Sequence, residues 1–162
     1  MKNVAKISAL AMSAIAVTML TPNVSHAEPY FRIVNHGSNK CLEIDNSSDE
    51  NGARAQQWGC GNQTGNLWYL DHVVNEVYMI RNYSDKCLEI SDSRTDNGAP
   101  AQQWTCNRRN DGMLWHVSHG KIWNHNSGKP LEIENSSREN GAKAQQWSNA
   151  DVAGQKWDIV DY

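Results

Sequence analysis

The tetrapeptide Ala55-Gln56-Gln57-Trp58 decides the fold of this chain because the chain contains it three times. It returns as Ala101-Gln102-Gln103-Trp104 and as Ala144-Gln145-Gln146-Trp147. Upstream of each copy lie Asn-Gly-Ala and then Leu-Glu-Ile, whose glutamates are Glu43, Glu89 and Glu132. A second tryptophan follows each copy, at Trp68, Trp115 and Trp157. Self-similarity at one fixed period indicates a fold that is built from repeated units.

The repeats divide the chain into copies at about residues 30–75, 76–119 and 120–162. In each copy, short runs that alternate apolar and polar residues are separated by loops rich in Asn, Gly and Ser, a pattern typical of β-strands. The sequence therefore predicts an all-β protein with four strands per copy and twelve in total. A single copy is too small to bury a core, so we expect three copies to close into a barrel with pseudo-threefold symmetry.

The N-terminus has the features of a signal peptide. Lys2 and Lys6 precede an apolar run that is too short to cross a bilayer, and Ser25-His26-Ala27 offers small residues for cleavage after Ala27. A membrane anchor is the alternative for this segment. We predict a signal peptide at residues 1–27 and a secreted, extracellular domain at 28–162.

Charge excludes two classes of partner for residues 28–162. Removal of Lys2 and Lys6 changes the formal net charge from −3 to −5, and acidic and basic residues are interspersed. A basic patch, which nucleic acid or an anionic membrane would require, is missing from the sequence. We expect no nucleic acid partner, no membrane span and a monomeric protein.

The four cysteines repeat with the copies. Cys41 and Cys60 bracket the first copy of the tetrapeptide, and Cys87 and Cys106 bracket the second at the same separation. Four cysteines allow three pairings, and the repetition favours one disulfide within each of these two copies. A zinc site is the alternative, which the wide spacing and the oxidising destination disfavour.

The repeated outward-facing residues are an acid, an amide and an indole. On a strand, residues two apart share a face, so the first glutamine of each tetrapeptide lies beside its tryptophan. Carboxylate and amide groups hydrogen-bond to sugar hydroxyls, and an indole covers the apolar face of a pyranose. The residues are Glu43, Gln56, Trp58, Glu89, Gln102, Trp104, Glu132, Gln145 and Trp147.

The repeated spacing Lys-Cys-Leu-Glu-Ile, Asn-Gly-Ala-x-Ala-Gln-Gln-Trp-x-Cys and a later Trp resembles the ricin B-type lectin family over nearly all of residues 30–162. The resemblance implies a β-trefoil fold and galactose- or xylose-type ligands, either monosaccharide or polysaccharide. It implies that the three glutamates bind sugar and that the three tetrapeptide tryptophans stack on it. Because none of the repeated residues activates a nucleophile or forms a metal site, we expect no cofactor, no metal and no catalytic residue. The family's sugar-binding asparagine is replaced by Gly65, Gly112 and Gly154. We assign the neighbouring amides Asn66 and Gln155 to the sugar sites, whereas Met113 has no amide.

Other interpretations remain open at this point. The glutamates could instead bond loop amides, and the tetrapeptide tryptophans could pack beneath loops, as buried polar groups and tryptophans usually do. A second function is protein interaction, such as protease inhibition through residues 45–52 or 108–112. A glycoside hydrolase needs two carboxyl groups across the scissile bond, for which Glu132 and Glu134 would be candidates, and we rank it last.

Overall fold

The computed structural model describes residues 30–162. The predicted signal peptide at 1–27 and its cleavage site lie outside the described residues. Within that range the chain forms twelve strands and six short 3-10 turns. The strands are β1 (Phe31–Asn35), β2 (Cys41–Ile44), β3 (Ala55–Trp58), β4 (Trp68–Val74), β5 (Val77–Asn82), β6 (Lys86–Ile90), β7 (Ala101–Thr105), β8 (Leu114–Ser118), β9 (Lys121–Asn124), β10 (Leu131–Ile133), β11 (Ala144–Gln146) and β12 (Trp157–Asp161).

Six of the strands form a closed antiparallel ring. Strand β1 pairs with β12 and β4, β4 pairs with β5, β5 pairs with β8, and β8 pairs with β9. The ring closes where the Trp157 N–H donates to the Gly120 carbonyl oxygen at 2.8 Å. The other strands form the hairpins β2–β3, β6–β7 and β10–β11. A six-stranded ring with three hairpins is a β-trefoil, so the predicted fold class is confirmed.

The hydrophobic core receives the same side chains from every copy. The Leu and Ile of each Leu-Glu-Ile strand and the second tryptophan of each copy belong to one cluster, which explains why they repeat. Each of these indoles also donates from Nε1 to the carbonyl oxygen of the leucine, at 2.9, 2.9 and 3.0 Å. These buried residues are Leu42, Ile44, Trp68, Leu88, Ile90, Trp115, Leu131, Ile133 and Trp157.

The two predicted disulfides, Cys41–Cys60 and Cys87–Cys106, are present and no described cysteine is free. Each closes a loop between residues 19 apart, a constraint that stabilises a fold by about 3 kcal/mol in the chain-entropy model. Pro130 occupies the corresponding position in the third copy, so that lobe folds without a bridge. In residues 30–162 no helix has the length and apolar content needed to cross a membrane.

Candidate functional site

Each lobe carries a groove whose acid and amide are brought together by strand register. Glu43 lies opposite Gln56 in the β2–β3 hairpin, and the other two hairpins pair the equivalent residues. The amide nitrogen of Gln56 donates to Glu43 Oε1 at 3.0 Å. The corresponding distances are 2.8 Å from Gln102 to Glu89 and 3.1 Å from Gln145 to Glu132. The sequence pattern predicted that the acid and the amide converge on one groove, and the hairpins bring them within hydrogen-bonding distance three times.

The second carboxylate oxygen of each glutamate accepts from another amide, which differs from lobe to lobe. Gln63 donates to Glu43 at 3.1 Å, Asn110 to Glu89 at 3.3 Å, and Gln155 to Glu132 at 2.6 Å. Each glutamate is only 4–7% exposed, yet it lines its groove. A carboxylate can accept about four hydrogen bonds, so each acid is held in place and can still accept from a ligand.

Gln63 and Asn110 are functional candidates that the sequence analysis missed, whereas Asn66 does not reach the first groove. The Asn66 side chain is fully buried, and its amide donates to the Gly61 carbonyl oxygen at 3.4 Å. Gln155, at the equivalent position, is also buried and supports Glu132 from behind because its side chain is one methylene longer. We therefore replace Asn66 with Gln63 as the second amide of the first groove.

The three predicted stacking tryptophans lie open at their grooves. Trp58, Trp104 and Trp147 are 43%, 43% and 42% exposed, in contrast to the buried second tryptophans. One edge of each indole rests on the Asn-Gly turn of a neighbouring lobe. A Cβ atom on Gly141, Gly52 or Gly98 would lie 3.7, 3.6 or 3.5 Å from Cζ3 of Trp58, Trp104 or Trp147. Each indole is therefore held at one edge by a neighbouring lobe while 42–43% of it stays exposed.

The glycines that replace the family's asparagine are required by close packing. A Cβ atom on Gly65 would lie 2.8 Å from the Ile44 carbonyl oxygen. A Cβ atom on Gly112 or Gly154 would lie 2.7 Å from the hydroxyl oxygen of Ser93 or Ser136. Real Cβ contacts essentially never fall below 3.0 Å. In each copy these glycines allow two 3-10 turns to pack together, and Ser47 and Ser136 of these turns line the first and third grooves.

The second glutamine of each tetrapeptide holds a neighbouring lobe. The Gln57 amide nitrogen donates to the carbonyl oxygens of Ser137 and Glu139 at 2.8 and 2.9 Å. Gln103 holds the first-lobe loop in the same way, through the carbonyls of Ser48 and Glu50. Gln146 completes the cycle by donating to Arg94 and Asp96. The doubled glutamine therefore has two separate tasks, one in the groove and one between lobes.

The grooves differ in size and charge. Their volumes are about 350, 180 and 350 Å³ in chain order. In the first groove, Lys143 of the third lobe donates to Gln56 Oε1 at 2.7 Å and to Asp45 Oδ2 at 3.2 Å. In the narrow second groove, burial raises the pKa of Glu89; hydrogen bonds from Gln102 and Asn110 oppose this shift, and the nearby charge of Asp92 adds to it. Val152 gives the third groove a more apolar wall.

The chemistry available in the grooves is hydrogen bonding and stacking. Among residues 30–162, no three His, Cys, Asp or Glu side chains are close enough to hold a metal ion. Both carboxylate oxygens of Glu43, Glu89 and Glu132 are hydrogen-bonded to amides. Such an acid is fixed as a hydrogen-bond acceptor beside an open indole.

The fold and the three polar, tryptophan-lined grooves define a trefoil protein with repeated surface sites. Residues 29–157 match the family model for the ricin-type beta-trefoil lectin domain, and the chain belongs to this family. No curated protein matched the chain in a sequence comparison.

Solved structures support the fold. A designed 3-fold symmetric protein, ThreeFoil, is 28% identical with a TM-score of 0.78, and the match covers 82% of this chain and 99% of that one. An exo-beta-1,3-galactanase from Clostridium thermocellum has the same identity and TM-score over 83% of this chain, and this chain spans only 30% of its length. The earthworm R-type lectin C-half, solved in complex with GalNAc, is 22% identical with a TM-score of 0.71 over 83% of this chain and 99% of that one.

Proposed function

We propose that the protein is a non-catalytic carbohydrate-binding lectin with up to three shallow sugar sites. The observation that carries the proposal is the triple recurrence of an anchored glutamate, an amide bonded to it and a half-open indole. Hydroxyls of a pyranose would bond the acid and amide, and its apolar face would cover the indole. The assigned residues are Glu43, Gln56, Trp58 and Gln63 in the first site, Glu89, Gln102, Trp104 and Asn110 in the second, and Glu132, Gln145, Trp147 and the supporting Gln155 in the third.

Galactose- or xylose-type sugars are the proposed ligands. The family resemblance supports this choice, and so do the galactanase and the GalNAc complex among the similar structures. A shallow site of this kind has a dissociation constant in the millimolar range, which corresponds to a binding free energy of about −4 kcal/mol. Several sites on one rigid body would strengthen binding to polysaccharide or to a glycan-coated surface through avidity.

Secretion and a monomeric state belong to the same proposal. Two disulfides support an oxidising destination, because such bonds rarely persist in reducing compartments. Each lobe is hydrogen-bonded to a neighbouring lobe through Gln57, Gln103 or Gln146. The trefoil therefore closes within one chain, without a second copy.

Protease inhibition is the weaker alternative. An inhibitory loop has to offer its backbone to the active site of a protease. In residues 45–52, the carbonyl oxygens of Ser48 and Glu50 already accept from Gln103, and Asn51 bonds Thr105. The backbone of this loop is therefore already hydrogen-bonded to the neighbouring lobe.

A glycan array probed with residues 28–162 tests the proposal. We expect binding to galactose- or xylose-containing glycans, competition by the free sugar and no release of reducing ends. A blank array together with inhibition in a protease panel would overturn it in favour of the alternative.

A further inference from the structure

A second hollow adjoins the first groove. It has a volume of about 480 Å³ and is lined by Ser47, Asp49, Thr64, Tyr83, Ser84 and Lys86. Ser47 also lines the first groove, so one residue forms the boundary between the two spaces. The first groove, which contains Trp58, is thus continuous at Ser47 with the hollow that contains Tyr83.

The ridge between the two spaces is fixed. It is the 3-10 turn Asp45–Ser47, in which Asn46 and Ser47 have φ values of 55° and 50°. The Ser47 hydroxyl oxygen accepts from the Gly65 N–H at 3.0 Å. On the far side, the Ser84 hydroxyl donates to the Asp49 carboxylate. A ligand that spans both spaces would therefore meet a preformed surface.

The second hollow repeats the chemistry of the groove. Tyr83 is 55% exposed, and its ring is tilted against Tyr30 with centroids 5.7 Å apart. An aromatic ring that is supported on one side can accept the apolar face of a sugar on the other. Asp49, Ser84 and Lys86 line the same hollow and offer acceptors and donors for hydroxyl groups.

This aromatic residue is particular to the first site. Tyr83 lies in the turn after β5, where the Asn82 side chain accepts from the Ser84 N–H. Asn124 makes a similar bond in the corresponding turn of the third copy, where His125 follows it. Asn126 of that turn donates to the Ser93 carbonyl oxygen at 2.7 Å, which places it beside the second groove. The turns after β5 and β9 therefore occupy corresponding positions beside the preceding lobe, and His125 is the matched position for a control.

We propose that the first site extends over Ser47 to a second sugar subsite on Tyr83. It would then bind an oligosaccharide of two or more pyranose residues, with Trp58 and Tyr83 as successive platforms. This proposal rests on the proposed function and goes further by assigning a ligand length and a residue from the adjoining lobe.

The test isolates the first site in a Trp104→Ala, Trp147→Ala background. Titration calorimetry would compare galactose with β-1,3-linked galactobiose and galactotriose, and xylose with xylobiose and xylotriose. We expect affinity to rise with the number of sugar residues in one of these two series. Tyr83→Ala should weaken the trisaccharide by about 2- to 10-fold, the size of one aromatic contact, with the monosaccharide unchanged. Tyr83→Phe should retain the gain, and the control His125→Ala should have no effect.

Amide chemical shifts give a second measurement on the unaltered chain. We expect both sugars to shift residues around Trp58, and only the trisaccharide to shift Ser84 and Lys86 as well. The proposed extension would be overturned if affinity does not rise with oligosaccharide length in either series. It would also be overturned if Tyr83→Ala leaves the affinity for the trisaccharide unchanged. Monosaccharide binding that depends on Trp58 would then still uphold the lectin assignment. If no oligosaccharide of either series and no glycan on the array binds, both the lectin function and the extended first site are contradicted.

Discussion

Gln57 donates from its side-chain amide to the Glu139 carbonyl oxygen at 2.9 Å, although 82 residues separate them in sequence. The same side chain bonds Ser137 and accepts from the Ser38 hydroxyl at 2.7 Å, so all its polar atoms are satisfied in the interior. The adjacent Gln56 turns to the opposite face and bonds Glu43 in the groove. Two neighbouring residues of the same type thus divide stability and recognition between them.

Removal of the inter-lobe amide should destabilise the protein. We expect Gln57→Ala to lower the free energy of unfolding by about 2–4 kcal/mol, because the substitution leaves a cavity at a fully buried side chain and removes its hydrogen bonds to Ser137 and Glu139. The matched control is Gln63→Ala, whose half-buried amide faces the groove and whose loss should cost less than about 1 kcal/mol. Urea unfolding measures both. Equal costs for the two variants would contradict the division of tasks.

Lys143 should act as a positioning residue for the first groove. Its Nζ bonds Gln56 Oε1, which orients the amide nitrogen towards Glu43. We expect Lys143→Met to weaken sugar binding at the first site several-fold and to leave the second and third sites unchanged. Site-resolved NMR titration measures this, with Lys129→Met as the control for loss of a lysine outside the grooves. The prediction fails if Lys143→Met weakens all three sites alike.

Reduction of the disulfides should affect two of the three lobes. Cys60 and Cys106 lie just before the loops that carry Gln63 and Asn110, and the third lobe has no bridge. We expect Cys41→Ser with Cys60→Ser to lower stability by about 3 kcal/mol and to weaken the first site. The third site should be unaffected. Thermal unfolding and NMR titration with and without reductant check the two effects, and a weakened third site would contradict the account.

Glu89 should give the second lobe a distinct pH dependence. Burial raises the pKa of Glu89 above its ordinary value of 4.5. Its contribution to stability is therefore fully present below the unfolded-state pKa and is lost as pH rises through the higher folded-state pKa. Relative to the native chain, Glu89→Gln should gain stability as the pH rises above about 4.5. Urea unfolding across that range measures the difference, and a constant offset would show that the pKa is not raised.

Repetition allowed the fold and the centre of each groove to be predicted. Because every copy alternates in the same way, the spacing predicted that Trp68 is a core residue and that Gln56 lies on the face of Trp58. The exposure of Trp58 and the hydrogen bond between Gln56 and Glu43 were left open by the sequence. Strand alternation placed Gln56 rather than Gln57 beside the tryptophan, but the sequence could not predict the inter-lobe contact of Gln57, since that contact depends on closure of the whole trefoil. It also could not locate Gln63 and Asn110, because each reaches its glutamate from a different position in the loop. The repeat boundaries and the signal peptide stay predictions.

The claim that the three grooves are sugar sites is tested most directly by counting the sugars bound per chain. The count is made for the native chain and for three variants that each lack one exposed tryptophan. With a monosaccharide identified on the array, site-resolved NMR titration should show up to three sites. Trp58→Ala, Trp104→Ala and Trp147→Ala should each abolish only its own site, with a small change in unfolding free energy. The core variant Trp68→Ala should instead cost about 3–5 kcal/mol in stability. Full binding by the chain that lacks all three exposed tryptophans would contradict the claim that these grooves are the sugar sites.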